Sequence, residues 1–247
     1  SDGHQFVRHP VVFQNHAGDR ITGSIYTGAT SVNFDEDGKP TKTSFDVMDG
    51  GPCVIYLHRN SSTQNEGTFL IPNLCPYGIS VFLFDFAGCG ESDGDYISLG
   101  LNESKDLRKL IFELYTHFNM GPFILWGRSM GASTTLMLNA QDYVKEGLVV
   151  GYIIDSGFSH LSDVCYSFAS RFGVPWGLDS LLYWYLRSSV KDVAKFDPND
   201  VNPIEFAQAQ FTPPALFGHA SDDEIVPYKQ GVDIFNVYSN PDKEFVE

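Results

Sequence analysis

The chain has 247 residues, with 16 Lys and Arg against 31 Asp and Glu for a formal charge of −15, and 43% of its residues are hydrophobic. That balance suits a single globular domain spanning 1–247, and the negative charge without a basic stripe argues against nucleic acid as a partner. Apolar stretches such as Leu148-Val149-Val150-Gly151-Tyr152-Ile153-Ile154 fall far short of the roughly 20 residues that cross a bilayer, so no transmembrane segment is expected.

The chain opens at Ser1-Asp2-Gly3-His4 without an initiator Met or a signal-peptide pattern. Its four cysteines, Cys53, Cys75, Cys89 and Cys165, show no metal-ligand spacing. Free thiols in a reducing, cytoplasmic setting are the expectation. Phe6–Gln14 and Arg20–Tyr26 flank the turn-like stretch Asn15-His16-Ala17-Gly18-Asp19 and predict an antiparallel hairpin at a sheet edge. A polar insert over Gly28–Gly51 reads as an exposed hairpin or loop. From Pro52 onward, short apolar runs alternate with helix-length segments, the pattern of a mostly parallel sheet covered by helices on both faces. The runs are Cys53–Leu57, Ser80–Asp85, Phe123–Trp126, Gly151–Asp155 and Ala215–Gly218. They are continuous rather than alternating, as strands buried on both faces should be.

Gly127-Arg128-Ser129-Met130-Gly131 follows the strand Phe123–Trp126 and precedes the helix-compatible run Ala132–Ala140. This is G-x-S-x-G between a strand and a helix, a turn that strains the Ser backbone and needs glycine on either side for clearance. Ser129 is the candidate nucleophile, poised at a helix N-terminus that favours developing negative charge. Leu57-His58-Arg59-Asn60-Ser61 ends another strand, in the position of a loop that supplies one N–H of an oxyanion hole. Met130, the residue after the nucleophile, supplies the other. Asp85-Phe86-Ala87-Gly88-Cys89-Gly90-Glu91-Ser92 follows a third strand, and Asp85 reads as structural.

At these residues the sequence resembles the α/β-hydrolase superfamily, within it the small-lid esterases of the serine-aminopeptidase-like group. Two further segments carry the resemblance, Asp155-Ser156-Gly157-Phe158 and the late His219-Ala220-Ser221-Asp222-Asp223-Glu224-Ile225-Val226-Pro227. The resemblance implies an α/β-hydrolase fold with a small helical lid over 158–214. It implies Asp223 as the triad acid, three residues before Val226, with Asp222 and Asp155 as alternatives. His219 matches a loop histidine of the family that is not the triad base. Asn60 matches the oxyanion donor, while Arg59 stands where the family has Gly and could cap the loop, touch substrate or lie on the surface. The family's triad His follows the acid, yet none of the seven histidines here does.

The lid segment carries Tyr166, Phe168, Phe172, Trp176, Tyr183, Trp184 and Tyr185, which either line a pocket for an apolar group or form a small core of their own. Gly231–Ser239 predicts a helix, and Lys243–Glu247 the opening of a final strand. The resemblance then leads to the expectation that the C-terminal strand, the last helix and the triad His lie beyond Glu247. The function so implied is a serine hydrolase cleaving carboxylic esters or thioesters through an acyl-enzyme on Ser129. It needs no metal or organic cofactor, and its partner is a small-molecule or acylated substrate with an apolar part. A hydrolase-fold binding protein without turnover, or a peptidase or acyltransferase using the same serine, is the alternative.

Overall fold

The computed structural model describes residues 6–28, 50–138, 140–175 and 177–247. The Ser1-Asp2-Gly3-His4 start, most of the Gly28–Gly51 insert and Trp176 lie outside the described residues. Eight strands form one sheet: β1 (Phe6–Gln14), β2 (Arg20–Gly28), β3 (Cys53–Leu57), β4 (Ser80–Phe84), β5 (Phe123–Arg128), β6 (Val149–Asp155), β7 (Ala215–Gly218) and β8 (Lys243–Val246). Their order is β1-β2-β4-β3-β5-β6-β7-β8. The pairs β1–β2 and β2–β4 are antiparallel, and every pair from β4–β3 to β7–β8 is parallel. The hairpin turn is held by Asn15, whose side-chain oxygen accepts from the Ala17 and Asp19 N–H groups at 2.9 and 2.8 Å.

The helices are α1 (Ile71–Leu74), α2 (Leu101–Phe118), α3 (Met130–Met137), α4 (Gln141–Lys145), α5 (Leu161–Arg171), α6 (Leu178–Val193), α7 (Pro203–Ala207) and α8 (Tyr228–Val237). Strand alternation sorts them onto two faces. Cys53, Ile55 and Leu57 of β3, with Phe82 and Phe84 of β4, pack with Leu110 of α2, Leu136 of α3 and Ile234 of α8. Val54, Tyr56, Val81 and Leu83 point the other way, onto Leu70 and Ile71. Both faces of the central strands are therefore dry, which is why their sequences run apolar without a break.

Several boundaries differ from the sequence expectations: β2 runs on to Gly28 and β5 to Arg128, β4 stops at Phe84, β6 starts at Val149, and three further differences have identifiable reasons. Helix α3 begins at Met130 rather than Ala132, because Ser129 alone makes the turn out of β5. Helix α8 begins at Tyr228 rather than Gly231, directly after Pro227, which stands outside it as the N-cap at φ −53° and ψ 132°. The C-terminal strand expected beyond Glu247 is present as β8: Lys243–Val246 pairs in parallel with all of β7. Lys243 also fixes the end of α8, its ammonium donating to the Phe235 and Tyr238 carbonyls at 2.5 and 2.9 Å. Among the described residues, no helix is long and apolar enough to cross a membrane.

Candidate active site

The parallel strands end level with one another, and that puts the candidate residues on one edge of the sheet. Leu57 pairs with Gly127, Arg128 with Asp155, Asp155 with Gly218, and Gly218 with Val246. The loops carrying Asn60, Ser129 and Asp223 thus leave β3, β5 and β7 at the same height, at the carboxyl ends where parallel sheets hold their sites.

Ser129 links β5 directly to α3 with φ 51° and ψ −110°, a backbone conformation that is strained for a residue with a Cβ. Its N–H donates to the Asp155 carbonyl at 2.8 Å, tying the turn to the end of β6. The two motif glycines are sterically required. A Cβ on Gly127 would stand 2.2 Å from the Gly131 carbonyl oxygen, and one on Gly131 would stand 2.0 Å from that of Leu57. The second figure means that the first turn of α3 lies against the end of β3, beside the His58-Arg59-Asn60 loop. Gly131→Ala should therefore cost about 3 kcal/mol of unfolding free energy in urea titration, as overpacking against backbone does. Gly218→Ala, where no atom lies within 4 Å of the added Cβ, should cost under about 0.5 kcal/mol. Equal losses would mean that the turn relaxes around the added methyl.

Two backbone donors lie on the elements that meet at this turn, α3 and the loop after β3. Met130 is the first residue of α3, so its N–H has no intrahelical acceptor. In the β3 loop the Arg59 N–H is engaged, donating to Glu66 Oε2 at 3.1 Å, whereas the Asn60 N–H has no acceptor among the described residues. The Arg59 side chain folds back toward the same carboxylate, Nε lying 3.8 Å from Oε1, and stays half exposed. His58 is wholly buried against Phe86, with ring centroids 4.9 Å apart. Its Nδ1–H donates to the Arg59 carbonyl at 2.7 Å, and its Nε2 accepts from the Phe86 N–H at 3.2 Å. Both partners demand the neutral ring.

Burial accordingly lowers the His58 pKa, although the Arg59 carbonyl and the charges of Asp85 and Glu66 oppose the shift. A folded-state pKa below the ordinary value of about 6.5 means that the unfolded chain takes up the proton first. The stability held by neutral His58 is thus full above that pH and is lost as the pH falls toward the folded value. Melting temperatures should drop between pH 7 and pH 5, and His58→Gln should flatten part of that drop. His9, also lowered by burial, accounts for a further part. An unchanged slope in the variant would remove His58 from the explanation.

Asp85 is buried and structural, as expected. Its oxygens accept from the Gln64 N–H at 2.6 Å, the Gln64 amide at 2.9 Å and the Glu91 N–H at 3.2 Å. Asp223 lies in the loop after β7. Its Oδ1 accepts from the Ile225 and Val226 N–H groups at 2.8 and 2.9 Å, and its Oδ2 lies 3.6 Å from His219 Nε2. His219 is buried and donates that Nε2–H to the Val226 carbonyl at 2.9 Å, so its ring shapes the loop. Asp222 is exposed and its carboxylate accepts no hydrogen bond among the described residues.

The segment between β6 and β7 packs over this edge. Phe158, Leu161 and Val201 share a cluster with Met137 of α3 and Val226 of the Asp223 loop. Arg171 at the end of α5 reaches the same loop, donating to the Glu224 carbonyl at 2.6 Å and pairing with the Glu224 carboxylate. Of the aromatics in this segment, Tyr183 is buried against Tyr166, with centroids 5.1 Å apart. Phe168, Phe172, Trp184 and Tyr185 are exposed. A cavity of about 370 Å³ is lined by His160, Ser162, Tyr166, Tyr183, Asn199 and Val201.

No family model matches the chain. Among curated proteins it is similar to lysophosphatidylserine lipase ABHD12 of Danio rerio, 26% identical over 192 residues, 75% of this chain and 47% of that protein. The same protein of Xenopus tropicalis is 25% identical over 210 residues, 82% and 51%. Protein ABHD12B of Homo sapiens is 27% identical over 203 residues, 78% and 52%. The chain thus spans about half the length of the curated relatives it matches. Among solved structures, the Pyrococcus furiosus esterase Pf2001 aligns over 98% of this chain and 82% of its own, with TM-score 0.67 at 18% identity. Mouse alpha/beta hydrolase domain-containing protein 10 aligns over 96% and 88%, with TM-score 0.58 at 18% identity.

Proposed function

We propose, from the premise that this chain belongs to the α/β-hydrolase superfamily, that it is a serine hydrolase of carboxylic esters or thioesters. The observation that carries the proposal is the strained backbone of Ser129, at φ 51° between β5 and α3, with the unengaged N–H of Met130 adjoining it and that of Asn60 on the loop after the neighbouring β3. A fold does not choose a reaction; a strained serine next to two donors suits acyl transfer. The Ser129 oxygen would attack the carbonyl carbon, its proton passing to a base, while the Asn60 and Met130 N–H groups stabilise the oxyanion. Collapse of that adduct expels the alcohol or thiol with the proton returned, and water then releases the acid from Ser129. No cofactor takes part in these steps.

Asp223 is the proposed partner of the base, through the Oδ2 that its loop N–H groups leave open. The proposed base is an imidazole that donates to that Oδ2. The Val246 carbonyl accepts from the His219 N–H at 3.1 Å, so β8 leads to the start of the Asp223 loop. The segment Phe158–Pro214 is the proposed lid. Its apolar surface, and relatives whose names are lipase and esterase, support a substrate with an apolar part. The test is turnover of a short-chain aryl ester by the full natural chain, alongside thioester and peptide substrates. Preference for a peptide, or no turnover at all, would reject the proposal.

A further inference from the structure

We infer that Glu66 is a positioning residue of the oxyanion hole, tying the loop that offers the Asn60 N–H to the turn that carries Ser129. The inference rests on the acyl-transfer reading above and deepens it. Glu66 sits on the 3₁₀ segment Gln64–Leu70, and its two oxygens face two different walls of the site. Oε2 accepts the Arg59 N–H at 3.1 Å, and Oε1 accepts from Arg128 Nη1 at 3.3 Å. Arg128 is the residue immediately before Ser129. Its Nε lies 3.7 Å from Asp155 Oδ2, so the bridge continues to the end of β6, whose carbonyl also holds the Ser129 N–H.

The Glu66 side chain is only 11% exposed while Arg128 is 44% exposed, so the carboxylate is the fixed end of a charge-assisted pair whose arginine end reaches solvent. Its backing is rigid. The Gln64 N–H and side-chain amide are both held by buried Asp85, and a Cβ on neighbouring Gly67 would stand 2.5 Å from Leu83. The Tyr56 side chain also interacts with Glu66. A fixed carboxylate therefore sets the spacing between the β3 loop and the Ser129 turn. Taking up the Arg59 N–H leaves Asn60 as the next donor along that loop. The arrangement also accounts for an arginine where the resembling family has glycine: the longer side chain joins Arg128 around one carboxylate, and positive charge is neutralised beside the hole.

The experiment measures aryl-ester turnover by the full natural chain, its Glu66→Ala and Glu66→Gln variants and Ser129→Ala. All are normalised to sites titrated with a fluorophosphonate, with an aryl trifluoromethyl ketone as a probe of the tetrahedral adduct. Loosening an oxyanion donor by about 1 Å lowers rates by roughly 10²-fold. Glu66→Ala should thus lower kcat per titrated site about 10–100-fold with KM within about 3-fold, and weaken the ketone by a similar factor. Glu66→Gln should fall between, because its amide oxygen can still accept the Arg59 N–H but cannot hold both partners as a charge. If Glu66→Ala fails to fold, Glu66→Gln carries the same split. A loss confined to the titratable fraction, or kcat per site within about 3-fold of the parent in both variants, would overturn the inference. Ser129-dependent turnover by the parent upholds the hydrolase reading however Glu66 behaves, so the two fail separately.

Discussion

Ser129→Ala should abolish fluorophosphonate labelling of the full natural chain and lower aryl-ester turnover by roughly 10⁶-fold, the scale seen when an acyl-transfer nucleophile is removed. The turn is closed by Gly127 and Gly131 against backbone, and the Ser129 N–H is held by the Asp155 carbonyl. Alanine fits this frame without disturbing the donors on either side, so the variant isolates the hydroxyl. Its melting temperature should stay within a few degrees of the parent, or rise as the strained polar side chain is removed. A variant that labels as well as the parent would mean that another nucleophile reacts.

The second large effect concerns the proposed acid. Asp223→Asn should lower kcat about 10⁴-fold, while Asp222→Asn should change it less than about 3-fold. In Asp223 one oxygen is already committed to the Ile225 and Val226 N–H groups. An asparagine there would keep its carbonyl oxygen toward those donors and turn its NH₂ toward the base. That presents a donor where the imidazole also needs to donate, and selects the wrong tautomer. Asp222, exposed and one position earlier, faces no such constraint. A large loss from Asp222→Asn with Asp223→Asn nearly silent would shift the acid by one residue, and pH–rate profiles of both variants would register the change.

Features that depend on neighbours along the chain can be read from the residues in order. The buried strands were legible because a strand covered on both faces leaves no polar position. The Ser129 turn was legible because its steric demands fall on residues two positions away, and the turn at Asn15 because its side chain bonds its own loop. The C-terminal strand was misjudged: Lys243–Val246 is too short to be recognised as complete, and only its pairing with β7 makes it the eighth strand. Contacts between distant segments arise only once the chain has folded. Glu66 and Arg128 meet across 62 positions, and nothing in a polar 3₁₀ stretch marks Glu66 for that meeting. Arg59 is the same case, an oddity in sequence until its partner carboxylate is seen. Arg171 reaching Glu224 from the segment over the site is another. Periodicity and turn chemistry act over a few residues and are written locally, whereas the level ends of β3, β5, β6 and β7, and the ion pairs that join their loops, exist only once the sheet has assembled.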